Sequence, residues 1–548
     1  MTPAVLLDDG VLTRCRRRVH LDNDPTALGL ASAATDPTAQ ARMADAREHR
    51  QRIAERLAAL HEGWHTVAEG GSAVQREERT RQLLRRGVDF IWNPQLPRDP
   101  QRGRRGRING LIRVGDGYLP LLVVRHRVTD PGTGARTGPL SAPWPQAAGS
   151  DTGRKARAQP RDQLRLAHAW RMLSDAGHAA PIGAQGAVIG LDADVVLWHD
   201  LTAPGWPGGR STLAEYDRRF ADRIAVAGAA VAGDQPLAEP SRVVECRHCP
   251  WWPVCSATLT ERRDVSLVVR GSDATALREA GTSTVDLLAR LDPVSPPELA
   301  MGAGRLHDAI ALARAWLADL RMVRRSESVI VPRAGVELDI DMESFGESGA
   351  YLWGALLTGV DIGERPGYHS FVTWDPLPST DEGRSFAEFW TFLETVRAKA
   401  TDRGLSFAAY CYNELAENRW LLASAERFAE APGMPSRTRV AAFIDSSQWV
   451  DLYRAVAEQF LCAHGKGLKV VAPVAGFAWR DPEAGGENSM RWYREAVGLH
   501  GGPPDAAQRA RLLRYNEDDV RATLALREWI THRAGTEIPF VGDLLAPR

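Results

Sequence analysis

Two sets of residues have the types and spacing for metal chemistry. The first is four cysteines: Cys246, Cys249 and Cys255 stand in CRHCPWWPVC with C-x2-C-x5-C spacing, and Cys15 lies far upstream in LTRCRRR. In a chain expected to be cytoplasmic, close-spaced cysteines read as metal ligands before disulfides. Three thiolates on one short loop leave a four-ligand site incomplete, and Cys15 is the available fourth. Zinc would accept the four thiolates, or three with His248 or His20. One distant cysteine and a triad shielded by prolines and tryptophans fit a [4Fe–4S] cluster better. Cys411 and Cys462 sit in apolar runs and are expected in the core.

The second set is carboxylates. In VELDIDMES, residues 336–344, the period of two of a strand puts Glu337, Asp339, Asp341 and Glu343 on one face. Leu338, Ile340 and Met342 fall on the other. Like charges at that density repel, more so when partly buried, and a bound divalent cation removes the conflict.

The elements that must position these groups are legible too. GAYLWGALLTG predicts the antiparallel neighbour of the acidic strand. AAYCYNELAENRWLL predicts a strand running into Asn413, then a helix carrying Glu417, with Glu414 as the alternative acid. RLLRYNEDDVRATLALREWI predicts a helix with Tyr515 and Asp519 four residues apart on one face. Asp451, in SSQWVDLYRAV, is a candidate supporting acid.

A D-x-E strand, an acid four residues after Asn, and a late Y-x3-D helix resemble the DEDD exonucleases of the ribonuclease-H-like superfamily, in their tyrosine-containing subtype. The resemblance covers about residues 333–535. It implies that Asp341 and Glu343 bind and bridge two Mg²⁺ or Mn²⁺ ions and that Asp519 completes the first site. Tyr515 would orient the attacking water, and Glu417 would take the middle position, which is usually Asp. The implied activity is a metal-dependent 3′→5′ exonuclease. The competing reading is a nucleic-acid-binding adaptor whose nuclease sites have decayed.

The cysteine arrangement resembles the iron–sulfur RecB-type nucleases, in which a cluster clasps the two ends of a PD-(D/E)XK domain, here residues 1–262. RGRRGRINGLIRV, a glycine-bounded turn and GYLPLLVVRHRV predict the buried hairpin of that core. Where the resemblance expects carboxylates stand Asn109 and Val123, and Arg125 replaces Lys. Asn is a poor metal ligand, Val is none, and Arg does not deprotonate at neutral pH. Gln163 matches a helical glutamine of RecB-type domains, and Glu48 or His49 their early acid or histidine; Asp116 sits in the turn. The domain is therefore expected to grip a strand, not cut it. Arg16 to Arg18, Arg76 to Arg86 and Arg102 to Arg107 hold arginine clusters suited to phosphate, although each alone also suits a solvated face.

Residues 263–325 form a connector. DVSLVVRGSDATALREAGTSTVDLLARL predicts a helix, a turn at Gly271, a second helix, then Gly281 and a helix capped by Thr284. The pattern resembles helix-hairpin-helix modules, which offer backbone N–H groups to phosphates; a plain helical linker is the alternative.

The 548 residues, 44% hydrophobic and 25% charged, suit two to four soluble domains in an α/β multidomain chain. The net charge of −1 selects no partner by itself. No run approaches the roughly 20 apolar residues of a membrane span, so the expected location is cytoplasmic, with no membrane partner. The order of the three parts resembles a bacterial family of RecB-like nucleases with a YprB-like C-terminal domain. It implies nucleic acid as partner, DNA before RNA, with a helicase or other repair protein, in repair, recombination or nucleic-acid turnover.

Overall fold

The computed structural model describes residues 5–546 apart from 28, 32–36, 296 and 300, with backbone only at 37–42 and 487. The chain is a mixed α/β protein of two compact units, Met1–Glu261 and Arg262–Arg548.

In the first unit an eight-stranded sheet has the order Trp64–Thr66, Phe90–Trp92, Gly110–Val114, Gly117–Val123, Gln185–Ile189, Val195–Asp200, Arg136–Pro139, Gly149–Ser150. The hairpin expected from sequence is its centre: Gly110–Val114 and Gly117–Val123 pair antiparallel. Gly115, at φ 64°, begins the turn, a conformation that costs glycine little. Alternation along these strands splits the core in two. Leu111 and Leu122 pack with Leu164 and Leu173 of helix Pro160–Asp175, whereas Ile112 and Leu121 pack with Ile53 and Leu57 of helix Pro37–Leu60. Gln185–Ile189 then joins Gly117–Val123 in parallel.

The second unit begins with short helices. The first predicted one is a single 3₁₀ turn, Val265–Leu267, with Asp264 accepting from the Ser266 N–H. The β-branched run Val265, Val268, Val269 disfavours a longer helix, and Gly271 at φ 65° breaks the chain direction. Helices Ser272–Glu279 and Val285–Arg290 follow, the latter capped by Thr284 as expected.

Beyond them lies a five-stranded sheet ordered Gly367–Val372, Ala350–Gly359, Val336–Ser344, Phe407–Cys411, Trp449–Asp451. The first three strands are antiparallel and the last two run parallel to Val336–Ser344. Period two decides what each face of the central strand meets. Val336, Leu338, Ile340 and Met342 pack against Phe386, Phe389 and Leu393 of helix Asp381–Asp402. The acids point the other way, toward helix Ala506–His532. Among the described residues no helix is long and apolar enough to cross a membrane.

Candidate metal centre

Helix Ala506–His532 crosses the acidic face, and its side chains divide the four carboxylates into two pairs. Arg527, fully buried, bonds Glu337 through Nη1 and reaches Asp339 Oδ2 through Nη2 at 2.7 Å. Arg333 adds a second guanidinium to Glu337 at 2.7 Å. Those two acids are thus neutralised by the chain itself, which corrects the expectation that all four need an ion.

Asp341 and Glu343 meet Asp519 instead. One carboxylate oxygen from each lies within 4.8 Å of the others. The donors around them are neutral: Asn516 Nδ2 to Asp341 at 2.7 Å, the Ser489 hydroxyl to Glu343 at 3.0 Å, and Trp479 Nε1 to Asp519 at 2.6 Å. Burial, with the like charges of Asp519, Glu343 and Glu417, holds the Asp341 carboxyl well above its ordinary range. Burial and the neighbouring Asp519 push Glu343 up to about 8. Asp519 is raised by burial, with Lys469 and Trp479 working against it. Clustered acids that resist ionisation are what a cation site looks like without its cation.

Asn516 is held by the sheet. Tyr368 donates to Asn516 Oδ1 at 2.7 Å. Gly354 pairs directly with Asp341 in the sheet, and a Cβ on it would fall 1.7 Å from that same Oδ1. The glycine therefore makes room for the asparagine that orients Asp341.

Tyr515 lies one turn before Asp519. Its hydroxyl accepts from Lys469 Nζ at 2.9 Å, and the ammonium stands 4.3 Å from the ring centroid. Asp518 turns away to bind Arg480, which fixes the loop that delivers Trp479. Lys469, Trp479 and Ser489 carried no sequence signal as site residues.

Glu417 is buried on helix Leu415–Arg427 but stands outside the close trio. Its Oε2 has no hydrogen-bond partner, and burial first, then Asp451 and Glu343, pushes it up to about 8. Glu414 is paired with Arg454 at 2.9 Å. Asp451 accepts from the backbone N–H groups of Asn413 and Tyr453, at 2.8 and 2.9 Å. It thereby holds Asn413 at φ 71°, just before the Glu417 helix.

A model of the RNase_H superfamily, RNase_H_2, matches residues 425–531, a stretch that includes Lys469, Tyr515 and Asp519. The C-terminal domain is ribonuclease-H-like. Its acidic strand, with Asp341 and Glu343, precedes the matched stretch. No curated protein and no solved structure matches the chain.

In the first unit, apart from this ribonuclease-H-like domain, the four predicted cysteines line one small cavity with Arg17, Arg18, Glu245, Trp251 and Trp252. Cys15 precedes helix Arg16–Asn23, Cys246 lies in the 3₁₀ turn Val244–His248 and Cys249 follows it, and Cys255 lies in helix Trp252–Glu261. Glu245 ties the ends of the unit together, accepting from Cys15 N–H at 2.6 Å and Arg18 at 2.8 Å; Trp251 donates to Asp22 at 2.7 Å. Burial raises the Cys246 and Cys249 thiols and pushes Cys255 up to about 11. His20 is buried and is 3.7 Å from Asp24. Cys411 is buried and Cys462 half-buried.

The RecB-type positions are otherwise engaged. Asn109 Oδ1 accepts from the Val123 N–H at 2.8 Å, Arg125 pairs with Asp45 at 2.9 Å, and Gln163 accepts from Thr212 at 3.0 Å. Glu48 is exposed beside Arg52, His49 is buried, and Asp116 is exposed in the turn.

Proposed function

We propose that the ribonuclease-H-like domain is a divalent-metal-dependent nuclease, a 3′→5′ exonuclease acting on DNA before RNA. The convergence of Asp341, Glu343 and Asp519 within 4.8 Å, with only neutral donors bonded to them, carries this reading. These three fit Mg²⁺ or Mn²⁺ because hard cations favour carboxylate oxygen, and Glu417 offers a further buried oxygen without a partner. Bound there, the ion would polarise the scissile phosphate and favour ionisation of a water.

The residues of the chain have separate tasks. Asn516, Ser489 and Trp479 fix the carboxylate orientations, the role hydrogen-bonding neighbours of metal ligands play generally. Tyr515 presents its hydroxyl to orient the attacking water. Lys469 holds that hydroxyl and places a positive charge beside the phosphate.

Asp341→Asn or Asp519→Asn should abolish Mg²⁺- or Mn²⁺-dependent degradation of labelled single-stranded DNA and RNA while leaving binding intact. Activity that survives both changes sinks the assignment. The position of Glu417 outside the trio favours a second reading, a non-catalytic adaptor, for which tight binding without cleavage under any divalent ion is the signature.

We read the first unit as a RecB-like PD-(D/E)XK frame clasped by a [4Fe–4S] cluster on Cys15, Cys246, Cys249 and Cys255. Supporting it is the order helix, three antiparallel strands, helix, parallel strand. The four cysteines line one small cavity, where they would hold the cluster. Helices Ser272–Glu279 and Val285–Arg290 would be a helix-hairpin-helix connector, and the whole a YprB-like family member that works with a helicase or repair protein. Anaerobic purification should yield a brown protein containing iron and sulfide. A colourless protein with one zinc per chain replaces the cluster by zinc.

A further inference from the structure

The sheet end where Asn109 and Val123 stand gathers arginines from three elements. His168 Nε2 sits 3.0 Å from the Arg105 carbonyl oxygen, and Asp175 pairs with Arg104. Helix Pro160–Asp175 therefore runs antiparallel to strand Arg104–Arg107. Arg165 lies on that helix one turn before His168, and Arg107, Arg165 and Arg47 all stand near enough to act electrostatically on Arg50. Helix Pro37–Leu60 closes over the same end, where Arg125 pairs with Asp45 at 2.9 Å; it contributes Arg47 and Arg50.

Few carboxylates answer these guanidinium groups. Arg165 bonds Asp9 at 2.7 Å. Among the described residues no carboxylate is paired with Arg47, Arg50 or Arg107, and Arg47 and Arg107 are exposed. Burial, then the like charges of Arg107, Arg165 and Arg47, lowers the Arg50 pKa from its ordinary value, opposed by Glu69. The acids that could host a cation are missing: Asn109 spends its oxygen on the Val123 N–H, and Asp162 is bonded to His126 at 2.7 Å. Elsewhere on this unit Arg16, Arg18, Arg81, Arg102 and Arg104 pair with carboxylates, and Arg76 and Arg79 bond backbone carbonyls.

We infer that Arg47, Arg50, Arg107 and Arg165 form a site for the phosphodiester backbone of nucleic acid, a grip separate from the carboxylate centre. Guanidinium groups match phosphate oxygens in pairs, and a spread over three elements suits successive phosphates, not one small anion. The choice of nucleic acid among polyanions rests on the nuclease reading of the other domain.

The test is fluorescence anisotropy of a labelled single-stranded oligonucleotide with the full chain, in EDTA so that cleavage plays no part, over a series of salt concentrations. The double variant Arg50→Glu/Arg107→Glu should bind at least about tenfold more weakly, its salt slope falling by about 0.7 for each phosphate no longer neutralised. Arg85→Glu/Arg86→Glu, the same charge change elsewhere on this unit, should keep most of the affinity. Unchanged affinity and slope in the first variant, or an equal loss in the second, overturns the site. If the glutamate variant does not fold, Arg47→Gln/Arg107→Gln, at exposed positions, decides by the same readout. Polyglutamate competing as well as unlabelled DNA would overturn the nucleic-acid assignment. Because cleavage is absent, loss of the nuclease activity and loss of this grip are read independently.

Discussion

One face of one strand carries two pairs of acids with different partners. Glu337 and Asp339 end on Arg527; Arg333 helps hold Glu337 down to about 2 despite its burial, while burial, opposed by Arg527, leaves Asp339 at about 6. Asp341 and Glu343, two and four residues further on, meet a third carboxylate and neutral donors, and Glu343 rises to about 8. The strand supplies the same chemistry in both places. What differs is whether the crossing helix presents a guanidinium or another acid. A buried carboxylate without a cation in the chain needs one from outside, so the first pair reads as architecture and the second as a site.

The largest expected effect breaks the architectural half. Arg527→Met leaves the buried Asp339 without a cation and Glu337 with Arg333 alone, which costs about 3–5 kcal/mol, measured by denaturant unfolding. Adding Glu337→Gln and Asp339→Asn should restore much of that. If the single variant is as stable as wild type, the distinction between the pairs fails.

Next is the response to metal and pH. Glu343 and Glu417 are raised from 4.5 to about 8, so the folded metal-free protein holds protons that the unfolded chain releases above about pH 4.5. Its stability should fall as pH rises from about 4.5 to 8, and Asp341→Asn should lessen the fall. Mn²⁺ should offset part of it, by about 2.7 kcal/mol at a hundredfold excess over Kd. A melting temperature that rises over this window in EDTA, or ignores Mn²⁺, contradicts the site.

The smallest effect sharpens the comparison at the orienting residue. Gly354→Ala drives a Cβ into Asn516 Oδ1, so Asp341 loses its donor. Metal affinity should drop roughly tenfold, within the usual range for outer partners of metal ligands, with the fold retained. Isothermal titration with Mn²⁺ checks it; unchanged affinity would show that Asn516 does not orient Asp341.

Much of the site was legible because local periodicity carries it. Period two placed Asp341 and Glu343 on one face, and helical spacing joined Tyr515 to Asp519. Arg527 has a signal of its own: Asn516, Asp519, Thr523 and Arg527 recur every three or four residues, one helix face bearing a cation toward an acidic strand. Lys469, Trp479 and Ser489 had none, since loops and separate helices bring them in and no spacing links them to the acids. The connector's first helix shrinks to one turn because the β-branched run at Val265 and Val268 outweighs the apolar content that predicts it.

By itself the sequence determined the faces: which side chains of Val336–Ser344 turn to the core, which turn to the helix, and that four cysteines stand at the two ends of the first unit. Only the tertiary structure decided which acids meet Arg527 and which meet Asp519, and which arginines are left without acids. Burial and the distance to the nearest opposite charge set the state of an ionisable group, and that distance is made by elements far apart in the chain.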